Sequence, residues 1–307
     1  MTLNNPPTIY CSDLSAQAGE PLIGSATLTT AYLLLEYNAA WGTKALEASD
    51  LPETVKRHIH AFVKSNPNAK CLLIHHPETA LEHGVRVFLA ATAEGGQNLY
   101  SFLLEDYAEL LALNFAEIIN NPGSYRAYRR EQPLLLVCCN GRRDACCARK
   151  GIPVFNALQA ATADYPDPIV YQCTHLGGHR FAANLIVLPH GLLYGRVDPA
   201  SALQVLEATR ADRVYLPNLR GRSAYPPAAQ IGEWYLRGET GEGALDAYHL
   251  NEIRPFDEKT WTVDFRRQGS GEIHLLQVRI EETQHAIYES CQLDKTTPLV
   301  RYSVTRM

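Results

Sequence analysis

The chain has 307 residues, of which 46% are hydrophobic and 20% charged, which is an ordinary globular composition with enough length to bury a core. Its formal net charge is −5, so it lacks the basic excess that binding to nucleic acid requires. The N-terminal sequence has no charged region followed by an apolar one, and about 18 apolar residues never run together, so we expect a cytoplasmic protein without a membrane span.

The N-terminal part of the sequence predicts alternating strands and helices. A strand is expected at Tyr32–Glu36, and a helix at Glu53–Lys64, which starts after Pro52 and ends before Asn66-Pro67. Three further strands and an amphipathic helix are expected at Lys70–His75, Val85–Ala91, Leu99–Leu104 and Asp106–Ile119. Residues 120–132 are rich in turn residues and arginine and have no apolar period, which indicates a linker.

The middle of the chain predicts a strand, a helix and a strand, followed by a hairpin and a helix. The expected elements are a strand at 134–138, a helix at about 150–162, a strand at 168–173, a hairpin of 185–188 with 192–196, and a helix at about 199–209.

The C-terminal part predicts a helix and a small antiparallel sheet. Residues 213–238 read as a strand, a turn with Arg220 and Arg222, and a helix opened by Pro226-Pro227. We expect the two arginines to pair with local carboxylates rather than with an anionic partner. Four alternating runs predict the sheet, at Trp261–Arg266, Ile273–Ile280, Ala286–Cys291 and Leu299–Val304.

Metal-binding residue types are concentrated between Cys138 and His179. This stretch holds five of the eight cysteines and two of the eleven histidines. Thiols stand at both ends of one loop, and the sequence His175-Leu-Gly-Gly-His179 predicts a turn, because glycine permits positive φ and close backbone approach. In a chain without an export signal, such cysteines are expected to be free thiols or metal ligands. The sequence therefore predicts a metal centre of two thiolates and two imidazoles.

Spacing alone leaves the choice of cysteines open. Adjacent residues on a strand point to opposite faces, so one member of each doublet should reach a common centre. The possible pairs combine Cys138 or Cys139 with Cys146 or Cys147, and Cys173 is a further thiol near the site. Elsewhere, we interpret Cys11 as a bystander rather than a fifth ligand and Cys291 as an inert buried thiol.

The motifs C-x-x-G-x-R-D-x-x-C, H-x-G-G-H-R-F-A-x-N and L-P-x-G-x-x-Y-G-R-V resemble those of the sucrase/ferredoxin-like family, thioredoxin-like ferredoxins that include the fungal actin-patches-distal proteins. The resemblance spans residues 134–197 and extends more weakly to the stretches CSDLS and GEPLIGSA. It implies a [2Fe–2S] cluster held by Cys138, Cys147, His175 and His179. The chain differs from many members at Asn140, where they have histidine.

The expected fold class is α/β, with the thioredoxin-like fold that both the element order and the resemblance imply. We expect an N-terminal α/β half at 1–125, a thioredoxin-like [2Fe–2S] domain at 126–212, and a C-terminal helix with an antiparallel sheet at 213–307. The N-terminal half also ends in a hairpin and a helix, which is consistent with an ancient duplication whose first copy has no metal centre.

The resemblance implies an electron-transfer or redox-sensing protein that works with another redox protein or a reductase. Two other classes compete with it. A structural Zn²⁺ site is chemically suited to two cysteines and two histidines, and a thiol oxidoreductase suits the scaffold, although the chain has no C-x-x-C. Any catalytic activity would be that of an oxidoreductase. No G-x-G-x-x-G follows a strand, so we expect no bound nicotinamide.

Overall fold

A computed structural model describes residues 9–77, 84–165 and 169–307 of the chain. The helices of this described part are α1 (Cys11–Gln17), α2 (Glu53–Ser65), α3 (Phe115–Asn120), α4 (Ala145–Ala161), α5 (Pro199–Arg210) and α6 (Pro227–Thr240). The strands are β1 (Ala31–Glu36), β2 (Ala69–His75), β3 (Val85–Ala91), β4 (Asn98–Leu104), β5 (Leu134–Cys138), β6 (Val170–Cys173), β7 (Leu185–Leu188), β8 (Leu192–Tyr194), β9 (Leu219–Arg222), β10 (Tyr248–Pro255), β11 (Thr260–Arg267), β12 (Ile273–Tyr288) and β13 (Thr296–Arg306).

Nine of these strands form one sheet in the order β4-β3-β1-β2-β6-β5-β7-β8-β9. The sheet contains the same arrangement twice. In each half a parallel pair, β1 with β2 or β5 with β6, is connected through a helix, and an antiparallel hairpin is added beside the first strand. This order and these directions are those of a thioredoxin-like unit. The α/β prediction is confirmed, and the repeated topology is what a duplication would produce.

The two units share one continuous sheet. Strands β2 and β6 pair antiparallel, with Ile74 opposite Cys173 and His75 opposite Gln172. At the other end, β9 pairs with β8, although β9 belongs to the region predicted as a separate C-terminal part. The sheet thus crosses both predicted boundaries, at 125/126 and 212/213, and the division into domains stays a prediction.

Strand β5 lies in the middle of the second unit and is buried on both faces. Leu135 and Val137 belong to one apolar cluster together with α4 and the C-terminal sheet, whereas Leu134 and Leu136 belong to another. The continuous apolar run of β5 therefore reflects a strand covered on both sides, as parallel pairs usually are. Its neighbour α4 approaches closely because position 151 is a glycine, where a Cβ atom would lie 2.3 Å from the Cys138 carbonyl oxygen.

A separate four-stranded antiparallel sheet follows in the order β10-β11-β12-β13, which confirms the prediction of a small C-terminal sheet. The strands of this sheet differ from the four predicted runs. Residues 273–280 and 286–288 form one long strand, β12, with a change of register between Glu282 and Ala286. Strand β10 was not predicted, and Cys291 lies after β12 rather than within a strand.

Most predicted elements are confirmed within a few residues, but three further predictions, outside the C-terminal sheet, are wrong. The helix expected at Asp106–Ile119 is a 3₁₀ helix followed by the short α3, because Leu113 is extended and Asn114 caps a new helix. Helix α4 begins at Ala145 rather than at about 150. The strand after α5 is Leu219–Arg222 itself, the segment predicted as a turn.

Residue 168, the first of the strand expected at 168–173, lies outside the described residues, as do residues 1–8 and the start of the predicted N-terminal half. Within the described part of the chain, no helix has the length and apolar character needed to cross a membrane.

Candidate metal centre

The two predicted thiol ligands come from the ends of one strand-to-helix connection. Cys138 ends β5, and Cys147 lies in the first turn of α4. The helix starts there because the Asp144 side chain accepts a hydrogen bond from the Cys146 backbone N–H at 2.9 Å, as a helix N-cap does. Both cysteines are about 1% exposed, so their sulfur atoms are shielded from water.

The two predicted imidazole ligands come from the connection that follows β6. Gly177 and Gly178 have φ angles of 97° and 72°, which confirms the predicted turn. A single 3₁₀ turn, His179–Phe181, follows. The His175 and His179 rings stack with their centroids 4.3 Å apart and 23° between their planes. Both histidines are half-buried and form the outer edge of the group.

The structure brings these four side chains together. Cys147 Sγ lies 3.6 Å from His179 Nδ1, and Cys138 interacts with both Cys147 and His175. The Nδ1 atom of His175 is buried and has no hydrogen-bond partner among the described residues. Since buried polar atoms are almost always paired, this orphaned nitrogen fits a residue that binds a metal. Whether these four residues are the ligands stays a prediction.

The local electrostatics suit metal binding. The Cys147 thiol donates to Cys138, which lowers the pKa of Cys138 and raises the pKa of Cys147. Burial, together with the neighbouring His175, lowers the pKa of His179 to about 4. His179 is therefore neutral at physiological pH, the form in which an imidazole binds a metal.

Cys139, the other member of the first doublet, lies in the core against α4, away from the candidate centre, and burial raises its pKa. Strand alternation thus separates Cys138 from Cys139, as expected. Cys173 lies opposite Cys138 in the sheet and belongs to the same apolar cluster as Cys138 and Cys147. It is fully buried, and burial raises its pKa as well.

Arg220 and Asn184 form hydrogen bonds with the glycine turn. The fully buried Arg220 guanidinium donates to the Gly177 carbonyl at 2.8 Å, to Asn184 Oδ1 at 2.8 Å and to the Ser25 carbonyl at 2.6 Å. Asn184 Nδ2 in turn donates to the Gly178 carbonyl at 3.0 Å. Arg222 pairs with the buried Glu233 at 2.9 Å, as predicted, but Arg220 binds the Gly177 and Ser25 carbonyls and Asn184 instead of a carboxylate.

Three arginine side chains lie against the ring of Phe181. The guanidinium groups of Arg180, Arg220 and Arg196 lie 4.6, 4.8 and 5.7 Å from its ring centroid. Arg180 also pairs with the buried Glu20 at 2.8 Å. The early GEPLIGSA stretch and the central motifs therefore belong to one structural unit around the centre.

A second group of potential ligands, which the sequence did not predict, lies on the other side of the first turn of α4. Cys11, Asp144, Cys146 and Cys291 are placed to bind a metal ion, with one ligand atom from each residue and all of these atoms within 4.8 Å of one another. Cys11, interpreted as a bystander, therefore has other potential ligands beside it, and Cys291, interpreted as an inert buried thiol, is half-buried and lies beside the same residues. A hydrogen bond from Cys11 lowers the pKa of Cys146 to about 6. We call these four residues the Cys11 group.

The Cys11 group could not be recognised from spacing, because its cysteines are far apart in the sequence. Two features of the sequence could have indicated it. Cys11 lies in the CSDLS stretch, which shares the family resemblance, and Cys146 must face away from the candidate centre if Cys147 faces it.

The model of the sucrase/ferredoxin-like family matches residues 22–221, which include strands β1 to β8, most of β9 and the candidate centre. Neither a curated protein nor a solved structure matches the chain. Since the family match covers well over half of the sequence, the chain belongs to the sucrase/ferredoxin-like family.

Proposed function

We propose that this protein is a [2Fe–2S] electron-transfer or redox-sensing protein whose cluster is held by Cys138, Cys147, His175 and His179. The observation that carries the proposal is that two buried thiols and two imidazoles lie next to one another, with the buried Nδ1 atom of His175 left without a hydrogen-bond partner among the described residues. Membership of a family described as ferredoxin-like supports the same function.

The spread of the donor atoms favours a two-iron cluster over a single zinc ion. Across residues 9–77, 84–165 and 169–307, the Cys11 group is the one set of three or more such residues whose ligand atoms all lie within 4.8 Å of one another. The four donors of the candidate centre are spread more widely. A tetrahedral ion holds all its ligands at about 2.0–2.3 Å, whereas a two-iron core divides them between two metal atoms.

The protein residues have distinct parts in this function. The buried cysteines anchor the cluster away from water, and the half-buried histidines lie on the side from which a partner can approach. Two cavities, of about 310 and 240 Å³, open beside His175 and His179, and Arg143 lines both. This edge is where we place the redox protein partner.

Ligation by two imidazoles sets the electronic character of the centre. Two thiolates and two neutral imidazoles leave a [2Fe–2S] core less negative than four thiolates would, so it accepts an electron at a higher potential, as Rieske centres do. The lowered pKa of His179 keeps this imidazole neutral and available.

Metal and sulfide analysis after anaerobic purification tests the proposal. We expect iron and acid-labile sulfide in equal amounts and the visible absorption of a [2Fe–2S] protein. A colourless protein with no acid-labile sulfide would contradict it. Isolated protein that rapidly oxidises NADPH without a reductase would contradict the assignment of a protein donor.

A further inference from the structure

The Cys11 group joins three distant parts of the chain. Cys11 begins α1, Cys146 lies in the first turn of α4, and Cys291 lies in the connection between β12 and β13. Cys11 and Cys146 are fully buried. The three sulfur atoms form a triangle, with Sγ distances of 3.7 Å between Cys11 and Cys146, 3.6 Å between Cys11 and Cys291, and 3.1 Å between Cys146 and Cys291.

These distances match those of thiolates around one tetrahedral zinc ion. With Zn–S bonds of about 2.3 Å, tetrahedral geometry separates two sulfur ligands by about 3.8 Å. Two sides of the triangle already have nearly this length, and the third needs to open by only about 0.7 Å. The Asp144 oxygens lie 3.9 and 4.0 Å from Cys11 Sγ, within reach of the fourth position.

Asp144 is held in place by the backbone of the other ligands. Its Oδ1 accepts from the Cys146 N–H and its Oδ2 from the Cys291 N–H, each at 2.9 Å. Hydrogen bonds of this kind orient carboxylate ligands in metal sites, and each oxygen keeps a lone pair for the metal.

We propose that Cys11, Cys146, Cys291 and Asp144 bind a structural zinc ion, separate from the iron–sulfur centre. A donor set of three soft thiolates and one carboxylate, with all four tetrahedral positions filled by the protein, is that of a closed zinc site. A disulfide would involve only two of the three sulfur atoms. A zinc ion uses all four side chains.

The zinc ion would fix the connection between β12 and β13 beside the candidate iron–sulfur centre. Residues of the segment 289–295 line the cavity of about 240 Å³ next to His179, and Glu289, Asp294 and Arg143 all belong to its lining. Because Cys146 and Cys147 are adjacent on α4, one helical turn carries a ligand for each metal. The zinc site thereby determines which surface a partner meets at His179.

Zinc K-edge X-ray absorption of the wild-type protein is the direct test, because it reads zinc independently of iron. The protein is purified without a metal-affinity tag from zinc-supplemented cultures. We expect one zinc ion per chain with three sulfur neighbours at about 2.3 Å and one oxygen neighbour. Wild-type protein without zinc, zinc bound by two sulfur and two nitrogen atoms, or a disulfide between Cys146 and Cys291 found by mass spectrometry would each overturn the proposal.

A pair of matched variants places the zinc ion on these residues. Cys291→Ala should lose most of the zinc and keep the iron and acid-labile sulfide, which also shows that the protein is folded. Cys71→Ala makes the same change in β2, outside both thiol groups, and should keep both metals. Unchanged zinc content and an unchanged zinc spectrum in Cys291→Ala would contradict the proposal, whatever the iron content. Loss of iron from the wild type alone would contradict only the [2Fe–2S] function.

Discussion

At the scale of single residues, each cysteine doublet is divided between two environments. At the end of β5, alternation sends Cys138 towards the candidate centre and the following Cys139 into the core against α4. On α4, a rotation of about 100° per residue sends Cys147 towards Cys138 and Cys146 towards Cys11. Sequence spacing could not make this choice, because it depends on which faces of the strand and the helix meet.

The doublets give the first prediction. Cys138→Ser and Cys147→Ser should lose most of the iron and acid-labile sulfide, because each removes an anchoring thiolate. The matched changes Cys139→Ser and Cys146→Ser should keep both, and Cys146→Ser should lose zinc. Metal and sulfide analysis of the four purified variants decides. If Cys139 and Cys146 proved essential for iron binding while Cys138 and Cys147 proved dispensable, the ligand assignment would be wrong.

The second prediction concerns His190, in the turn between β7 and β8. Burial and the charge of Arg222 lower the pKa of His190 from 6.5 to about 4. Between these pH values His190 binds a proton in the unfolded chain but not in the folded protein. The free energy of unfolding therefore decreases as the pH falls from 6.5 to about 4. We expect a loss of about 1–2 kcal/mol, reduced by the partial exposure of the ring.

Urea unfolding of wild-type protein and His190→Asn across this pH range measures the effect. The variant should lose less stability on acidification than the wild type. His60→Asn, at an exposed position on α2, is the matched control. Identical pH profiles for the wild type and His190→Asn would show that His190 does not contribute.

At the scale of elements, the glycine turn after β6 could be predicted from the sequence, but its support could not. Two adjacent glycines indicate positive φ, which the structure confirms at Gly177 and Gly178. The buried Arg220 that binds this turn comes from β9, a segment predicted to be a basic turn. Arginine is rarely fully buried, so local patterns favour the exposed interpretation.

The third prediction tests this turn. Gly178→Ala should lower the free energy of unfolding by about 1–3 kcal/mol, since alanine disfavours the left-handed conformation. In addition, the new Cβ would lie 2.7 Å from Arg220 Nη2. Gly123→Ala is the control, since nothing lies within 4 Å of a Cβ there, and should change stability by less than about 0.5 kcal/mol. Equal stabilities in thermal or urea unfolding would contradict the role of Gly178.

The helix predicted at Asp106–Ile119 is divided for a local reason. The apolar spacing of Asp106–Ile119 suits one amphipathic helix, but Asn114 Oδ1 accepts the Glu117 N–H and starts a new helix there. Side chains such as asparagine compete with the helical backbone for hydrogen bonds. In contrast, the ends predicted for β3 and β5 from their apolar runs agree with the structure.

At the scale of the whole molecule, the two thioredoxin-like units depend on each other. The β2 and β6 strands pair across the units, and one apolar cluster contains residues of both, including Phe88 and Tyr171, whose ring centroids lie 5.6 Å apart. The N-terminal half also supplies Glu20 to Arg180 beside the centre. The order of elements could be predicted from the sequence, but the pairing that joins the units could not, since it connects residues about 100 positions apart.

The fourth prediction follows from this dependence. A chain of residues 126–307 should aggregate or unfold without a cooperative transition, because β6 becomes an exposed edge strand and half of the shared apolar cluster is removed. It should also bind little iron. Circular dichroism during urea unfolding and iron analysis test this. A soluble fragment with cooperative unfolding and full iron content would instead support the predicted boundary at 125/126.

Hyperfine spectroscopy of the reduced protein tests whether two histidines share a [2Fe–2S] cluster with two cysteines. The protein is produced with ¹⁵N only in histidine and reduced anaerobically. We expect a paramagnetic iron–sulfur signal with strong coupling to histidine nitrogen, weakened or altered in His175→Ala and His179→Ala and unchanged in His60→Ala. An iron–sulfur signal without coupling to histidine nitrogen would show that the cluster has no histidine ligand.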